Sequence, residues 1–362
     1  MRLVGGSAMN NQPIRLLGLV GLLAASLVLS SCGRKATAAS GDGGAEPDKL
    51  LYDTAMDNVN RGKHEMGRLA LQTLMNTYPD SEYLAKAKLG IADSYYKEGG
   101  ATGLTQAVAE YGDFVTFFPF LEEAAYAQMQ VGMAHYRRME KPDRDRTEAL
   151  AAENAFQVLL EKYPDGPIAA EGQQRLREVQ EVLAEGDFRI AQFYFIRRVD
   201  RSALARLQRL VARYPLYSQA DRAQWTLAAL YERNGGGAET ATQYYARIVK
   251  DYPLSPLADA AKEKLVKYGV PVPEPDPDAL VRMQKEAQMD RNRPGFLGRS
   301  LGMLRSGPDV SMAARAGSPT MTPANDESYD ATVLGLPASP GSLAPAGTGT
   351  GVSAERVTPG QK

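Results

Sequence analysis

The sequence is poor in the residues from which metal sites and disulfide frameworks are built. Its 362 residues include one cysteine, Cys32, and two histidines, His64 and His135. One cysteine excludes an intrachain disulfide framework and cysteine-rich zinc sites, and two histidines leave little material for a histidine-based metal site. The 42 basic and 43 acidic residues nearly cancel, whereas dedicated nucleic-acid-binding proteins usually carry a basic excess. We therefore expect no bound metal, cofactor or nucleic acid.

The sequence motifs of common catalytic sites are also missing. It contains no glycine-rich phosphate loop ending in lysine, no His-Glu-x-x-His and no Gly-x-Ser-x-Gly. Paired carboxylates such as Glu122-Glu123 stand near expected helix starts, where they favour the helix dipole. The sequence therefore predicts no catalytic residue and a protein that is not an enzyme.

The N-terminal 31 residues have the layout of a secretory signal peptide. Arg2 and Arg15 precede an apolar run of about 14 residues, which is shorter than the roughly 20 that a membrane-spanning helix needs. Small residues and then Cys32 follow, and Leu29-Ser30-Ser31-Cys32 resembles a bacterial lipobox. We expect residues 1–31 to be removed and Cys32 to carry the lipid. The alternative is an ordinary signal peptide, or a short anchor, with a cysteine there by chance.

Stable anchoring takes more than one acyl chain, and a diacylated, N-acylated Cys32 meets that requirement. The next residue is Gly33 rather than the aspartate that favours retention in the inner membrane. We therefore expect a lipid-anchored protein on the periplasmic face of the outer membrane, with no other membrane contact. Residues 32–47 are rich in alanine, glycine and serine, which is typical of a flexible tether.

An aromatic residue followed by proline recurs five times in the middle of the chain. The pairs are Tyr78-Pro79, Phe118-Pro119, Tyr163-Pro164, Tyr214-Pro215 and Tyr252-Pro253. A small residue stands twelve positions before each proline, and large apolar residues stand eight and five positions before it, all on one helix face. The small residue permits close helix approach and the proline ends the helix. This pattern resembles the second helix of a tetratricopeptide repeat.

The first helix of the second to fifth pairs carries a small residue followed three positions later by an aromatic residue, with histidine taking that place in the third pair. Examples are Ala92 before Tyr95 and Ala228 before Tyr231. We therefore predict an all-α, tetratricopeptide-like right-handed solenoid over residues 48–269, made of five helix pairs and a capping helix at Leu257–Tyr268. The fourth pair should begin with a long helix, Ile168–Phe195.

The repeat pattern stops after residue 269. Residues 271–362 hold more than half of the 22 prolines and are also rich in glycine, serine and alanine. Such a composition cannot build a packed core. We expect residues 270–362 to be a disordered tail, with a short helix within residues 278–290 at most.

The lipobox, the five repeats and the long fourth-pair helix together resemble the BamD family of outer-membrane β-barrel assembly lipoproteins. Two fragments add to the resemblance. One is Leu183–Tyr194, in which Asp187 stands where family members usually carry glutamate, and the other is Pro142–Thr147. The resemblance covers about residues 48–268 and leaves the tail unassigned.

The resemblance implies a binding function. It implies docking to the POTRA domains of the BamA-type insertase, binding of unfolded outer-membrane proteins and contact with other lipoproteins of the same machinery. The first repeats should receive extended client segments. In tetratricopeptide geometry the residues facing such a segment are Lys86, Leu89, Asp93, Tyr96 and Lys97. The alternative for Leu89 and Tyr96 is packing between helices.

A stripe of arginines indicates where the insertase docks. Residues 201–268 carry a basic excess, whereas residues 51–200 carry an acidic excess. Arg206, Arg209 and Arg213 lie on one face of the fourth pair's second helix, and Arg222 begins the next helix. The resemblance implies that the C-terminal repeats contact BamA, and arginine suits carboxylate recognition at an interface. The alternative is a solvated helix face.

Two other functions stay open at this stage. Periplasmic repeat proteins that coordinate envelope constriction during cell division share motifs such as Tyr78–Tyr83, although they usually have fewer repeats, an N-terminal coiled coil and no lipobox. An enzyme with an unrecognised arrangement of residues comes third. Depletion of the protein would distinguish the three functions. Loss of outer-membrane porins indicates barrel assembly, chaining of cells indicates envelope constriction, and neither effect favours an enzyme.

Overall fold

The computed structural model describes residues 46–234, 238–289 and 307–322. Within these residues the chain forms twelve α-helices and no strand. The helices are α1 Pro47–Asn60, α2 His64–Thr77, α3 Leu84–Glu98, α4 Gly100–Phe117, α5 Glu123–Arg138, α6 Thr147–Lys162, α7 Pro167–Ile196, α8 Asp200–Arg213, α9 Ala220–Arg233, α10 Ala238–Asp251, α11 Ala258–Lys267 and α12 Pro277–Gln288. The expected signal peptide, Cys32 and nearly all of the tether lie outside the described residues.

Each helix from α2 to α11 packs mainly against its neighbours in sequence, and α1 joins α2 and α3 through a shared cluster around Ala55 and Leu71. This is the arrangement of a tetratricopeptide-like solenoid, in which every repeat contacts only the next. The pairs are α1–α2, α3–α4, α5–α6, α7–α8 and α9–α10, and α11 follows the last pair. The prediction of an all-α array of five pairs with a capping helix is confirmed, and α7 is the expected long helix.

The repeated residues build the core as the spacing predicts. The large apolar residues eight and five positions before each proline are at most 1% exposed; they are Leu71, Leu74, Tyr111, Phe114, Phe156, Leu159, Leu207, Leu210, Tyr245 and Ile248. Each second helix ends at the residue before the aromatic-proline pair, because the proline cannot continue the backbone hydrogen bonding. The aromatic residue still donates its N–H to the helix, as Tyr214 does to the Leu210 carbonyl at 2.8 Å.

The small residues set how closely the helices approach. A Cβ atom on Gly67 would lie 3.0 Å from the Ala55 carbonyl oxygen and 2.4 Å from a Val59 methyl carbon. A Cβ on Gly132 would lie 2.4 Å from the Phe156 ring. At these two positions the missing side chain lets neighbouring helices contact through backbone and ring atoms.

The short helix expected within residues 278–290 is present. Residues 277–288 form α12, whose N-terminus is capped by the Asp276 carboxylate, which accepts hydrogen bonds from the N–H groups of Asp278 and Ala279. The prediction of disorder is wrong for a second segment of the tail. Residues 307–322 have no regular secondary structure but lie against α6, α7, α8 and α12 through hydrogen bonds and small buried side chains. The composition of this segment does not predict its ordered conformation, because the hydrogen-bond donors that hold it are side chains of the solenoid.

Candidate functional site

The residues expected to face a client segment lie along α3. Lys86 and Lys97 are exposed, and Nζ of Lys97 lies 3.0 Å from the Asn60 side-chain oxygen on α1. Leu89 is half-buried against the cluster formed by Tyr111, Phe114 and their neighbours. The two lysines therefore remain available to a ligand, whereas Leu89 contributes mainly to packing.

Asp93 accepts hydrogen bonds from two tyrosines of other helices. The Tyr111 hydroxyl lies 2.5 Å and the Tyr126 hydroxyl 3.0 Å from the same carboxylate oxygen. Burial, and then the Asp93 charge, raise the pKa of both phenols above the ordinary value, so both stay protonated as donors. Tyr96 packs edge-on against Tyr111 at 6.3 Å between ring centroids, and the Arg137 guanidinium lies 4.7 Å above the Tyr96 ring. Asp93 and Tyr96 thus belong to a polar and aromatic network that joins α3, α4 and α5.

A second cluster surrounds Asp187, near the middle of α7. Its side chain is 4% exposed, and its oxygens lie 3.0 and 3.3 Å from the Arg146 guanidinium. Arg206 approaches from α8 at 2.9 Å, and Arg209 lies at 3.9 Å. A buried carboxylate needs such partners, because desolvation of an unpaired charge is costly. One carboxylate thus faces three guanidinium groups, which leaves local positive charge.

The two fragments that carried the family resemblance meet at this cluster. A Cβ on Gly186 would lie 2.7 Å from the Pro142 carbonyl oxygen, so only glycine lets the segment before α6 lie on α7. That approach brings Arg146 to Asp187, the residue after Gly186. A cavity of about 280 Å³ opens beside them, lined by Pro142, Arg146, Arg189, Phe193 and their neighbours.

The expected docking stripe is not one free face. Arg213 is 5% exposed and lies 3.3 Å from the fully buried Glu153 of α6. Burial raises the pKa of the Glu153 carboxyl, against the lowering influence of Arg213. The prediction that Arg213 contributes to a docking surface is therefore wrong. Arg206 and Arg209 are about one-third exposed and face Asp187, whereas Arg222 is exposed and donates to the Gln219 side chain of its own turn at 2.9 Å.

Sequence reasoning missed Glu153 of α6 and Arg177 and Gln180 of α7, which bind each other or the tail. The sequence gives only a weak indication of their role. All three are long polar residues at helix positions that turn out to be buried, and a buried charged or amide side chain needs a partner. Spacing along one helix does not identify a partner that lies far away in the sequence.

The described residues hold no group of three or more histidine, cysteine or acidic side chains arranged to bind a metal ion. Within the same part of the chain, none of the helices is long and apolar enough to cross a membrane.

Comparison with known proteins places this architecture in a family. A family model described as YfiO, outer membrane lipoprotein, matches residues 44–242, more than half of the chain. The chain is 24% identical over 253 residues to the outer membrane protein assembly factor BamD of Xylella fastidiosa strain 9a5c, covering 67% of this chain and 84% of the relative. It is 28% identical over 179 residues to BamD of Vibrio cholerae, covering 47% and 73%. It is 23% identical over 237 residues to BamD of Rickettsia prowazekii, covering 66% and 92%.

The matched range ends inside α10 and includes the aromatic-proline repeats up to Tyr214-Pro215, the Asp93 network and the Asp187 cluster. All three relatives are named outer membrane protein assembly factors. On the family match over more than half of its length, the chain belongs to the YfiO family of outer membrane lipoproteins.

Proposed function

We propose that this protein is a non-enzymatic lipoprotein subunit of the β-barrel assembly machinery of the outer membrane. The observation that carries the proposal is the YfiO family match, which spans four complete helix pairs of the array. Relatives named outer membrane protein assembly factor BamD support it. In this role the chain binds unfolded outer-membrane proteins, docks on the POTRA domains of BamA, and joins other lipoproteins of the machinery.

Client binding rests on the α3 surface. Lys86 and Lys97 are exposed, and the partly exposed ring of Tyr96 packs against Tyr111 of the Asp93 network. Lysine stems and an aromatic ring offer apolar contact to varied side chains, while the ammonium groups bind carbonyl oxygens or a C-terminal carboxylate. A repeat groove of this kind suits an extended segment.

The proposal is tested by crosslinking. A photoreactive residue is placed at Lys86, at Lys97, or at the exposed Gln72 of α2 as a matched control. The C-terminal peptide of an outer-membrane barrel protein should be captured at the first two positions and not at the third. Equal capture at Gln72 would remove α3 as the client surface.

BamA docking is assigned to the C-terminal repeats, with Arg222 as the contact to test. Arg206→Glu or Arg209→Glu would place a second carboxylate beside Asp187, so a loss of docking in those variants is not separable from damage to the fold. Arg222→Glu avoids that problem because Arg222 is exposed. It should slow association with purified POTRA domains and reduce the salt dependence of association, since rim charges act mainly on the association rate.

Arg61→Glu is the control for docking, because Arg61 is exposed in the first repeat and the change in charge is the same. Circular dichroism checks that both variants keep the helical array. If the two variants bind alike, docking does not use Arg222. Depletion of the protein in cells should lower outer-membrane porins; chaining with normal porin levels would favour the division scaffold instead.

A further inference from the structure

A row of long polar side chains follows α7 and faces the tail. Gln174, Arg177 and Gln180 stand three residues apart on one side of the helix, and Gln157 of α6 and Arg213 of α8 extend the row. We name these five residues the polar strip. The chain from 313 to 322 lies on it, and we name that stretch the tail segment.

The polar strip binds main-chain carbonyl oxygens in register. Gln174 and Arg177 donate to the Ala314 carbonyl at 3.3 and 3.1 Å, and Arg177 also donates to the Gly317 carbonyl at 2.8 Å. Gln180 donates to the Thr320 carbonyl at 2.7 Å. Donors three residues apart on the helix thus bind carbonyls three residues apart in the tail segment.

Thr320 is held through both of its main-chain groups. Its N–H donates to the Gln180 side-chain oxygen at 3.1 Å, while the Gln180 amide nitrogen donates to its carbonyl. Gln157 donates to the carbonyls of Thr320 and Thr322 at 3.1 and 3.2 Å, and Arg213 donates to the Thr322 carbonyl at 3.2 Å. Main-chain groups are common to all residues, so these contacts recognise the path of a backbone more than its side chains.

The buried side chains of the tail segment are small and also recur every third residue. They are Ala313, Ala316 and Pro319. The backbone bends at 315–317, and Gly317 takes a φ of +94°, which only glycine adopts without strain. The polar strip therefore accepts a segment with small residues or proline at these positions and glycine at the bend.

We propose that the polar strip is a binding site for a small-residue segment of another protein that bends at a glycine, and that the tail segment is its displaceable resident occupant. The site lies on α6, α7 and α8, away from the client surface on α3, so the proposal goes beyond the function proposed above. It does not require that the chain be a subunit of the assembly machinery.

The chemistry of the contacts favours exchange. The tail segment buries two alanines and one proline, so little apolar area holds it in place. Its hydrogen bonds are replaced by equivalent bonds when another backbone that follows the same path takes its position. Covalent connection gives the tail a high effective concentration, so an external segment binds well only when the tail is weakened.

The test uses the full chain and a fluorescent peptide with the sequence of residues 311–322. Gly317→Val weakens the resident tail without altering the polar strip, because its side chain would meet Leu216 and Arg282 at about 3.0 Å on a backbone with positive φ. By fluorescence anisotropy the peptide should bind this variant at least about tenfold more tightly than the unmodified chain, because the tethered competitor is weakened. Thr320→Pro, which removes the N–H that Gln180 accepts, should act in the same way.

Two controls locate the binding. Arg177→Met in the Gly317→Val background should abolish the gain, because the carbonyl of residue 317 loses its donor and the Ala314 carbonyl keeps only Gln174. A peptide that itself carries Gly317→Val should bind neither chain. Hydrogen exchange over 313–322 reports whether the resident tail is released.

Release of the tail without peptide binding would overturn the proposal, because the vacated polar strip would then bind no segment supplied by another molecule. An unchanged exchange rate in both Gly317→Val and Thr320→Pro would overturn it as well, because the tail would not be displaceable. Crosslinking at α3 does not depend on whether the peptide binds these variants. A negative result for the polar strip is therefore distinguishable from a negative result for the proposed function.

Discussion

Nη1 of Arg177 lies 2.8 Å from the carbonyl oxygen of Gly317, although 140 positions separate the two residues in the sequence. Burial lowers the pKa of the Arg177 guanidinium, and Glu286 of α12 opposes that effect. Glu286 also accepts hydrogen bonds from the N–H groups of Arg315 and Ala316. The tail is therefore held from two sides, by α7 and by α12, and forms part of the folded body.

Replacing Asp187 should destabilise the fourth repeat. Asp187→Asn keeps the shape of the side chain but removes the negative charge that faces three guanidinium groups, which should cost about 3–5 kcal/mol of unfolding free energy. The measurement is the urea midpoint of the full chain. Asp143→Asn, at an exposed residue beside the same cavity, should change stability by less than about 0.5 kcal/mol.

The same cluster allows a coupling measurement. Adding Arg206→Met to Asp187→Asn removes one of the repelling cations, so the double variant should be more stable than the sum of the two single effects predicts. Strictly additive losses would mean that Arg206 and Asp187 do not interact, contrary to their 2.9 Å separation.

Local periodicity predicted the core but not the polar partners. The buried positions of Tyr111 and Phe156 follow from a repeat of small, large and aromatic residues. Residues within about twelve positions of one another determine which face of each helix is buried. The partners of Arg206 and Arg213 are Asp187 and Glu153, on other helices, and helical spacing alone does not identify them. The stripe was therefore interpreted as a free surface.

The tail was missed for a related reason. Its composition predicts disorder because it offers little apolar area, and the tail segment indeed buries only small side chains. What orders it is a set of donors on the polar strip that bind main-chain groups. Such recognition leaves no signature in the tail sequence, and only the structure identifies it.

Replacing Gly132 by alanine should destabilise the protein. Gly132→Ala places a Cβ 2.4 Å from the Phe156 ring, and such overpacking should cost about 1–3 kcal/mol. Gly112→Ala is the matched control. Gly112 also lies inside a helix, but a Cβ there meets nothing within 4 Å, so this change should stabilise the protein by about 0.5–1 kcal/mol. Phe156→Leu should reduce the penalty of Gly132→Ala; an unreduced penalty would show that the contact is not its cause.

Cys32 should be the lipid attachment point. Its position after Leu29-Ser30-Ser31 resembles a lipobox, and a thiol is the group to which the diacylglyceryl chain is attached. Cys32→Ala should yield uncleaved or soluble protein in cell fractionation. A Cys32→Ala protein that is still cleaved and stays with the outer membrane after a high-salt wash would show that another feature anchors the chain.

The Asp93 network should make stability depend on pH in the alkaline range. Burial, and then Asp93, raise the pKa of Tyr111 above that of a tyrosine in the unfolded chain, about 10. A raised folded-state pKa gives a stabilising contribution that is complete below pH 10 and is lost as the pH rises further, because the folded chain keeps a proton that the unfolded chain releases. The urea midpoint should therefore fall above pH 10.

Two variants isolate the contribution of Tyr111 to that fall. Tyr111→Phe should reduce the slope of unfolding free energy against pH by about 1.4 kcal/mol per unit, the value for one proton. Asp93→Asn should reduce the slope less, because burial, the larger cause of the pKa shift, remains when the charge is gone. An unchanged slope in Tyr111→Phe would mean that this phenol titrates alike in the folded and unfolded chains, and that its hydrogen bond to Asp93 does not hold the proton.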